Sequence, residues 1–256
     1  CLDQRFLFHL LLSQSFSEYI QGTAQGSANQ CSIKLRDIFK YQLPLPPLAE
    51  QKRIAALLGS LDDLIELNRE MNQILEEMAQ AIFKSWFIDF DGVPEEDLVE
   101  SELGLIPRGW EVVSFDILAD IARSSVKPQD HKETEFAHFS LPAFDSAGVP
   151  SLEYGANIKS NKYKVHTDSV LLSKLNPRIP RVWLPNFDGV DNPVCSTEFL
   201  VIRPKSYYQK EILFPLVKSK IFYDQILGRV SGTTGSHQRV KPKDVLSIKI
   251  VRANKK

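Results

Sequence analysis

Cysteine is scarce in this sequence: three residues in 256, at positions 1, 31 and 195, with no CxxC pair. That spacing excludes a disulfide-stapled scaffold and an ordinary zinc site, and it fits buried thiols in a reducing compartment. Long apolar runs are also missing. The longest near the start, Phe6-Leu7-Phe8-His9-Leu10-Leu11-Leu12, falls far short of the roughly 20 residues that span a bilayer. No membrane association is therefore expected, and the expected location is the cytoplasm. The same run lacks a basic leader and a small-residue cleavage site. With Cys1 in first place, the sequence reads as beginning inside a larger gene product. No glycine-rich loop follows a strand, there is no Asn/Asp-Pro-Pro-aromatic motif, and no acidic pair stands with a lysine. These absences argue against an independent methyltransferase or nuclease, and no cofactor or metal is expected. His131, His138 and His166 have no metal-ligand pairing, and His9 is read as packing on its own helix.

What is present is ample apolar residue for a core, 43% hydrophobic against 25% charged. The net charge of −1 hides an asymmetry, because residues 1–104 carry −9 and residues 105–256 carry +8. An anion-binding module attached to an acidic element is the reading this suggests.

The acidic part is dominated by one helical pattern. Pro44, Pro46 and Pro47 hold the lead-in extended, and Pro47 suits a first helical turn because it needs no amide partner there. Ile54, Leu57, Leu61, Leu64, Asn68, Met71, Leu75, Met78 and Ile82 then recur at alternating steps of three and four, a heptad seam that predicts packing against another helix. Asn68 is its polar member, suited to fixing register. A helix over Leu48–Trp86 has 39 positions and would run roughly 58 Å at about 1.5 Å per residue, long enough to act as a spacer. After it, Asp89, Asp91, Glu95, Glu96, Asp97, Glu100 and Glu102 follow with no intervening base, and are read as a solvated connector rather than as catalytic carboxylates.

From Leu105 the pattern turns to short strand-like runs broken by Pro, Gly and Asn. Trp110–Phe115, Ser169–Leu172, Arg181–Leu184, Thr197–Arg203 and Ser247–Val251 are the candidate strands, with one helix expected over Ile212–Leu227. The fold class expected is α+β: a domain of mixed strands and helices attached to a long coiled-coil helix.

The two ends of the chain also resemble each other. At an offset of 206, Phe6-Leu7-Phe8 falls on Ile212-Leu213-Phe214, Leu10 on Leu216, Ser13 on Ser219, Phe16 on Phe222 and Glu18 on Asp224. A small-residue loop follows each helical stretch, opening at Gly22-Thr23 and at Gly232-Thr233. A short element, expected to be a strand, closes each copy: Lys34–Ile38 and Lys241–Val245. The ordered succession favours duplication over chance.

At this point the residues resemble a known family, the DNA-specificity subunits of type I restriction-modification systems. Leu45-Pro46-Pro47-Leu48-Ala49-Glu50-Gln51-Lys52-Arg53-Ile54 is similar to the start of that family's helix, and Ala79-Gln80-Ala81-Ile82-Phe83-Lys84-Ser85-Trp86-Phe87 to its exit. Glu102-Leu103-Gly104-Leu105-Ile106-Pro107-Arg108-Gly109-Trp110 resembles the opening of a second target-recognition domain. The resemblance implies a layout: 1–43 as the end of a first recognition domain, 44–90 as the spacer helix, 91–104 as an acidic linker, and 105–256 as a nearly complete second recognition domain. A chain truncated at both ends would follow. The resemblance further implies a non-catalytic subunit that reads one half of a bipartite site on double-stranded DNA. Methylation would belong to a modification (methyltransferase) subunit and cleavage to a restriction subunit. Self-association through the helix seam is also expected.

Phosphate contacts position such a protein and base-edge contacts specify. Lys159, Lys162 and Lys164 around Tyr163 form one basic cluster. Lys174, Asn176, Arg178 and Arg181 form a second, with Asn176 and Arg178 or Arg181 as base readers, since arginine suits guanine and asparagine suits adenine. Thr233, Thr234, His237 and Arg239 lie in a Gly/Ser/Thr loop that can approach a phosphate or a groove. The alternative reading is a coiled-coil interaction protein, or a non-functional remnant, whose basic domain is incidental.

Overall fold

The computed structural model describes the chain except residues 28–29, 44, 147, 206–208, 232–237 and 254–256. It divides into two compact units, Cys1–Glu77 and Met78–Lys256.

In the first unit, α1 (Gln4–Leu11) and α2 (Gln14–Thr23) lead to a hairpin of β1 (Gln25–Ser27) and β2 (Gln30–Ser32), then to the single turn α3 (Leu35–Ile38) and the start of α4 (Leu48–Lys84). Asp3 caps α1 by accepting the Arg5 and Phe6 N–H groups, which satisfies donors that a helix start leaves orphaned. The first turns of α4 hold α1 through one side chain, Gln51, which is 1% exposed. Its Oε1 accepts the Asp3 N–H at 2.8 Å, and its Nε2 donates to the carbonyls of Pro46 at 2.8 Å and Cys1 at 3.2 Å. All of the amide's main hydrogen-bonding directions are used, so its burial is compensated. Further along the same contact His9 stands 3.8 Å from Asp62, with Phe6 buried between.

α4 has 37 residues, about 55 Å at about 1.5 Å per residue. The seam read from the sequence lies largely in solvent. Leu57, Leu61, Leu64, Asn68, Met71, Leu75, Met78 and Ile82 are exposed and Ile54 is half-buried. Asn68 folds back onto its own helix, its Nδ2 donating to the Leu64 carbonyl at 2.9 Å. The α-ladder stops at Lys84, two residues before the expected Trp86. A π turn over Ser85–Asp89 follows, closed by Phe90 in the left-handed region at φ 57°.

The second unit contains β3 (Leu98–Ser101), β4 (Gly104–Pro107), β5 (Trp110–Ser114), β6 (Ala119–Ala122), β7 (Ser125–Val126), β8 (Glu135–Phe139), α5 (Leu141–Ser146), β9 (Ser151–Tyr154), β10 (Lys162–Lys164), β11 (Val170–Ser173), β12 (Val182–Trp183), β13 (Val194–Ser196) and β14 (Phe199–Pro204). It closes with α6 (Lys210–Lys218), α7 (Lys220–Leu227), α8 (Pro242–Leu246) and β15 (Lys249–Ala253). An antiparallel sheet in the order β12-β11-β14-β6 is the middle layer. Val170, Leu172, Leu200 and Ile202 face one core with Phe115, Leu213, Val217 and Phe222. Alternate residues Leu171, Phe199 and Val201 face a second core with Phe139, Trp183 and Cys195. Burial on both faces explains why β11 reads as an unbroken apolar run, not an alternating one. A second sheet, β7-β10-β13-β8-β9, borders the second core, and β5 pairs with β15 across the ends of the unit. The fold is α+β, as expected.

Several expectations need correction. The segment 91–104 is not a plain connector, since Leu98–Ser101 pairs antiparallel with Gly104–Pro107 in a hairpin. Ile212–Leu227 is not one helix. Ser219, extended at φ −64° and ψ 149°, ends α6 and caps α7. Lys34–Ile38 and Lys241–Val245 are helical turns instead of strands, each entered through an extended lysine, with Pro242 supplying a preset first-turn φ in the second. Gly22 and Thr23 complete α2 instead of opening the loop.

The duplication survives these corrections. Ser13 and Ser219 both separate two helices, at φ/ψ −67°/151° and −64°/149°, and their side chains accept the N–H groups of Phe16 and Phe222, each at 3.3 Å. The β1–β2 pair Gln25↔Ser32 has its counterpart in the bridge Ser231↔Arg239. The same helix, serine cap, helix and later short helix therefore occur once in each unit.

Candidate nucleic-acid interface

Two of the sequence-selected segments meet in the second unit. Loop 174–181 joins β11 to β12 and is closed at its base by Ser173 N–H donating to the Arg181 carbonyl at 2.9 Å. Segment 231–240 runs between α7 and α8. The two are laced together by backbone: Val240 N–H to the Lys174 carbonyl at 3.1 Å, Asn176 N–H to the Gln238 carbonyl at 2.8 Å, and a bridge between Leu175 and Arg239. Asn176 takes the left-handed conformation at φ 47°, one that asparagine tolerates better than most residues, and its carbonyl accepts the Ile179 N–H at 3.0 Å.

Glu198 ties both segments to the sheet. Its carbonyl accepts the Lys174 N–H at 2.9 Å, and its carboxylate takes the Arg239 guanidinium in two bonds of 3.1 and 3.0 Å. Arg181 is held likewise, its Nε and Nη2 on Asp145 at 2.6 and 2.8 Å, with the arginine side chain only 12% exposed. The pairing with Arg181 holds the Asp145 carboxyl below the ordinary carboxylate value. A bidentate arginine has its planar fork occupied, so Arg181 and Arg239 build the loops instead of presenting free donors. Arg178 is exposed and makes no ion pair among the described residues. Asn176, half-buried, lies two residues before it on the same loop. Thr233, Thr234 and His237 lie outside the described residues.

The other basic cluster does not join this group in the hydrogen-bond network. β10 belongs to the five-stranded sheet, paired with β13 and β7. Lys159 and Lys164 are exposed and Tyr163 is packed against the second core. Lys162 is 7% exposed and donates to Ser160 Oγ at 2.7 Å, with burial holding its ammonium below the ordinary lysine value. It is a structural cation of the sheet, contrary to the surface phosphate contact expected of it. His138 stands on the same sheet, 9% exposed, with Nδ1 2.9 Å from Glu153 Oε1. Desolvation lowers its pKa, outweighing the opposing effect of Glu153. Cys195 is buried, its thiol pushed up to about 12, which fits the structural role read from its isolation. Sequence reasoning missed Glu198 and Asp145, whose roles depend on partners about 40 residues away that no local pattern marks.

No cluster of three metal-ligating side chains occurs among the described residues, and no helix among them is long and apolar enough to cross a membrane. The second unit thus combines layered sheets and helices with basic segments laced together by backbone, and the apolar seam of the long helix faces solvent. The family model for the type I restriction modification DNA specificity domain matches residues 1–77. The MjaIX specificity subunit of Methanocaldococcus jannaschii is 34% identical over 139 residues, 54% of this chain and 32% of that one. The MjaVIII specificity subunit of the same organism is 27% identical over 228 residues, covering 86% of this chain and 49% of the relative. The HsdS subunit from Thermoanaerobacter tengcongensis aligns over 96% of this chain and 57% of its own, at 17% identity and a TM-score of 0.38. The chain is thus similar to the DNA-specificity subunits of type I restriction-modification systems. It spans at most about half the length of these curated relatives.

Proposed function

We propose that this chain reads one half of a bipartite site on double-stranded DNA within a type I restriction-modification complex in the cytoplasm. Loop 174–181 and the adjoining residues 238–240 form its reading surface. The observation that carries the reading is the lacing of these two segments to each other and to Glu198. It presents Arg178, Asn176 and Lys174 on a fixed scaffold, as base readout requires. Lys159 and Lys164 add positive charge along the backbone of the duplex.

The chain contributes no catalytic group. A modification subunit methylates and a restriction subunit cleaves, each directed by the sequence this chain selects. The seam of α4 is the structural half of the function. Eight exposed seam positions on one helix face pair with a second helix, in a partner subunit or a second copy, and fix the geometry at which the reader meets DNA.

The test is to co-purify the chain with the modification subunit of its own operon and select bound duplexes from a randomised pool at fixed, near-physiological salt. Enrichment of one short motif, or of two copies at fixed spacing, is the expected result. A stable complex with no enriched motif would reject sequence reading and leave the helix-interaction role alone.

A further inference from the structure

The loop that carries Arg178 ends in apolar groups that its own packing does not use. Arg178, Ile179 and Pro180 are exposed at its tip, whereas Pro177 beside them is buried. Ile179 is 47% exposed and, among the described residues, belongs to none of the apolar clusters of the unit. Turn tips are ordinarily made of Gly, Asn, Asp or Ser, each with a local backbone reason to be there. Here a β-branched aliphatic side chain stands in solvent, between Arg178 and Arg181 in the sequence.

Its backbone is restrained from both sides. The Ile179 N–H donates to the Asn176 carbonyl at 3.0 Å, closing a turn around Pro177 and Arg178. Asn176 holds the left-handed conformation at φ 47°, and its own N–H donates to the Gln238 carbonyl at 2.8 Å. On the other side, Pro180 narrows the conformations open to the residue before it, and Arg181 is tied to Asp145 by bonds of 2.6 and 2.8 Å. A β-branched side chain keeps few rotamers, so an apolar contact made from such a backbone costs little ordering on binding.

We infer that Ile179 is a specificity-determining residue that covers the C5-methyl group of a thymine in the major groove. The inference rests on loop 174–181 meeting DNA, as proposed above. The thymine methyl is the apolar group among the base edges of the major groove, and an aliphatic side chain gains from covering it as it cannot from a phosphate or a polar base edge. Neighbouring Cα atoms lie about 3.8 Å apart and successive nucleotides of a strand about 3.4 Å. Ile179 therefore reaches the base pair that Arg178 reads or one beside it. Arginine supplies the hydrogen bonds for guanine, and isoleucine adds a preference for thymine that no charged group can supply.

The test uses the full chain in complex with the modification subunit, and the duplex motif that selection enriches, read by competition anisotropy at one salt concentration. Each thymine of the motif is replaced in turn by deoxyuridine, which removes the methyl group and keeps the base pair. At one thymine this should weaken binding about three- to fivefold, the effect of uncovering about one methyl group. Ile179→Ala should weaken binding to the unmodified motif by a similar factor and make the complex indifferent to deoxyuridine at that position. Circular dichroism and a thermal melt check that this exposed substitution leaves the fold intact. A motif without thymine, or indifference of the unsubstituted chain to deoxyuridine at every thymine, overturns the inference. So does a sensitivity to deoxyuridine that Ile179→Ala leaves in place. A side chain that wedges between base steps is betrayed by lost affinity in Ile179→Ala without any deoxyuridine effect, and that result also overturns it. In each of these cases a motif is still selected and the DNA-reading proposal stands. Failure to enrich any motif is the distinct result that removes the DNA-reading proposal, and this inference with it.

Discussion

Arg178 and Arg181 stand three residues apart on one loop, and replacing each by alanine separates reading from scaffolding. Arg178 is exposed, so its removal leaves the fold alone and moves the melting temperature by no more than a surface substitution does, within about 0.5 kcal/mol. Its loss at the DNA is specific. A bidentate arginine-to-guanine contact is worth about 1–3 kcal/mol of discrimination, roughly 5- to 150-fold, at one base pair. Arg181 behaves in the opposite way. Its fork makes two short bonds to Asp145, whose side chain is 47% exposed. Screening at that exposed end holds the pair to about 1 kcal/mol, or roughly 2–4 °C in melting temperature for a unit of this size. Affinity then falls by the same factor on every duplex, because the loop is loosened as a whole. The assay is competition binding against a panel of duplexes carrying single base-pair changes, at one salt concentration, with thermal melts of both variants. A uniform loss from Arg178→Ala would assign that side chain to phosphate. Loss of discrimination at the same base pair from both variants, with unchanged melting temperatures, would refute the division of roles altogether.

Three further outcomes follow from the structure. Gly155→Ala places a Cβ 2.2 Å from the His131 carbonyl oxygen and 2.3 Å from that of Pro128. The backbone must shift, at a cost of about 1–3 kcal/mol, visible as a lower urea midpoint with unchanged slope. Stability is expected to fall in two acid windows. Burial holds the folded-state pKa of His138 below 6.5, so the unfolded chain binds the extra proton first, and stability declines as pH drops below 6.5 toward the folded value. His138→Gln should flatten that slope. Asp168, held below 3.8 chiefly by its hydrogen bonds from Arg203, contributes stability that is full above 3.8 and is lost as pH falls through its lowered folded value, a loss that Asp168→Asn should remove from the acid titration. Finally, Leu64→Asp on the exposed seam should leave the melting temperature of the isolated chain unchanged while abolishing association of α4 with its helical partner by sedimentation velocity. An unstable but still associating variant would contradict the seam.

The sequence was most legible where one period dominates. The three-four spacing from Ile54 to Ile82 marks α4 because each seam residue repeats the same geometric statement, and neighbours in sequence are neighbours in the structure. The strands Trp110–Ser114 and Phe199–Pro204 fall within a residue or two of expectation for the same reason. Where the pattern misled, a single residue overrode it. Ser219 cuts an amphipathic stretch because its side chain offers the next helix a cap, and the turns after Lys34 and Lys241 are too short for periodicity to tell helix from strand. The candidate site was half legible. Basic residues advertise themselves, but whether a guanidinium is free or spent on a carboxylate is decided by Asp145 and Glu198, brought in by tertiary folding. Lys162 shows the same limit in reverse, a lysine that looks like surface and is interior.

On the proposed function, a reader of this kind can change what it reads without losing its architecture. In the second unit the pieces that set geometry are carboxylate-bound arginines and backbone lacing between two segments, whereas the exposed side chain of Arg178 makes no ion pair among the described residues. Substitution at an exposed position costs little stability, so the contacts that determine sequence preference can vary while the frame stays fixed. The duplicated helix-cap-helix segment adds the complementary constraint. It recurs in both units with the same serine cap between two helices, a local frame set by backbone and cap and independent of the exposed side chains.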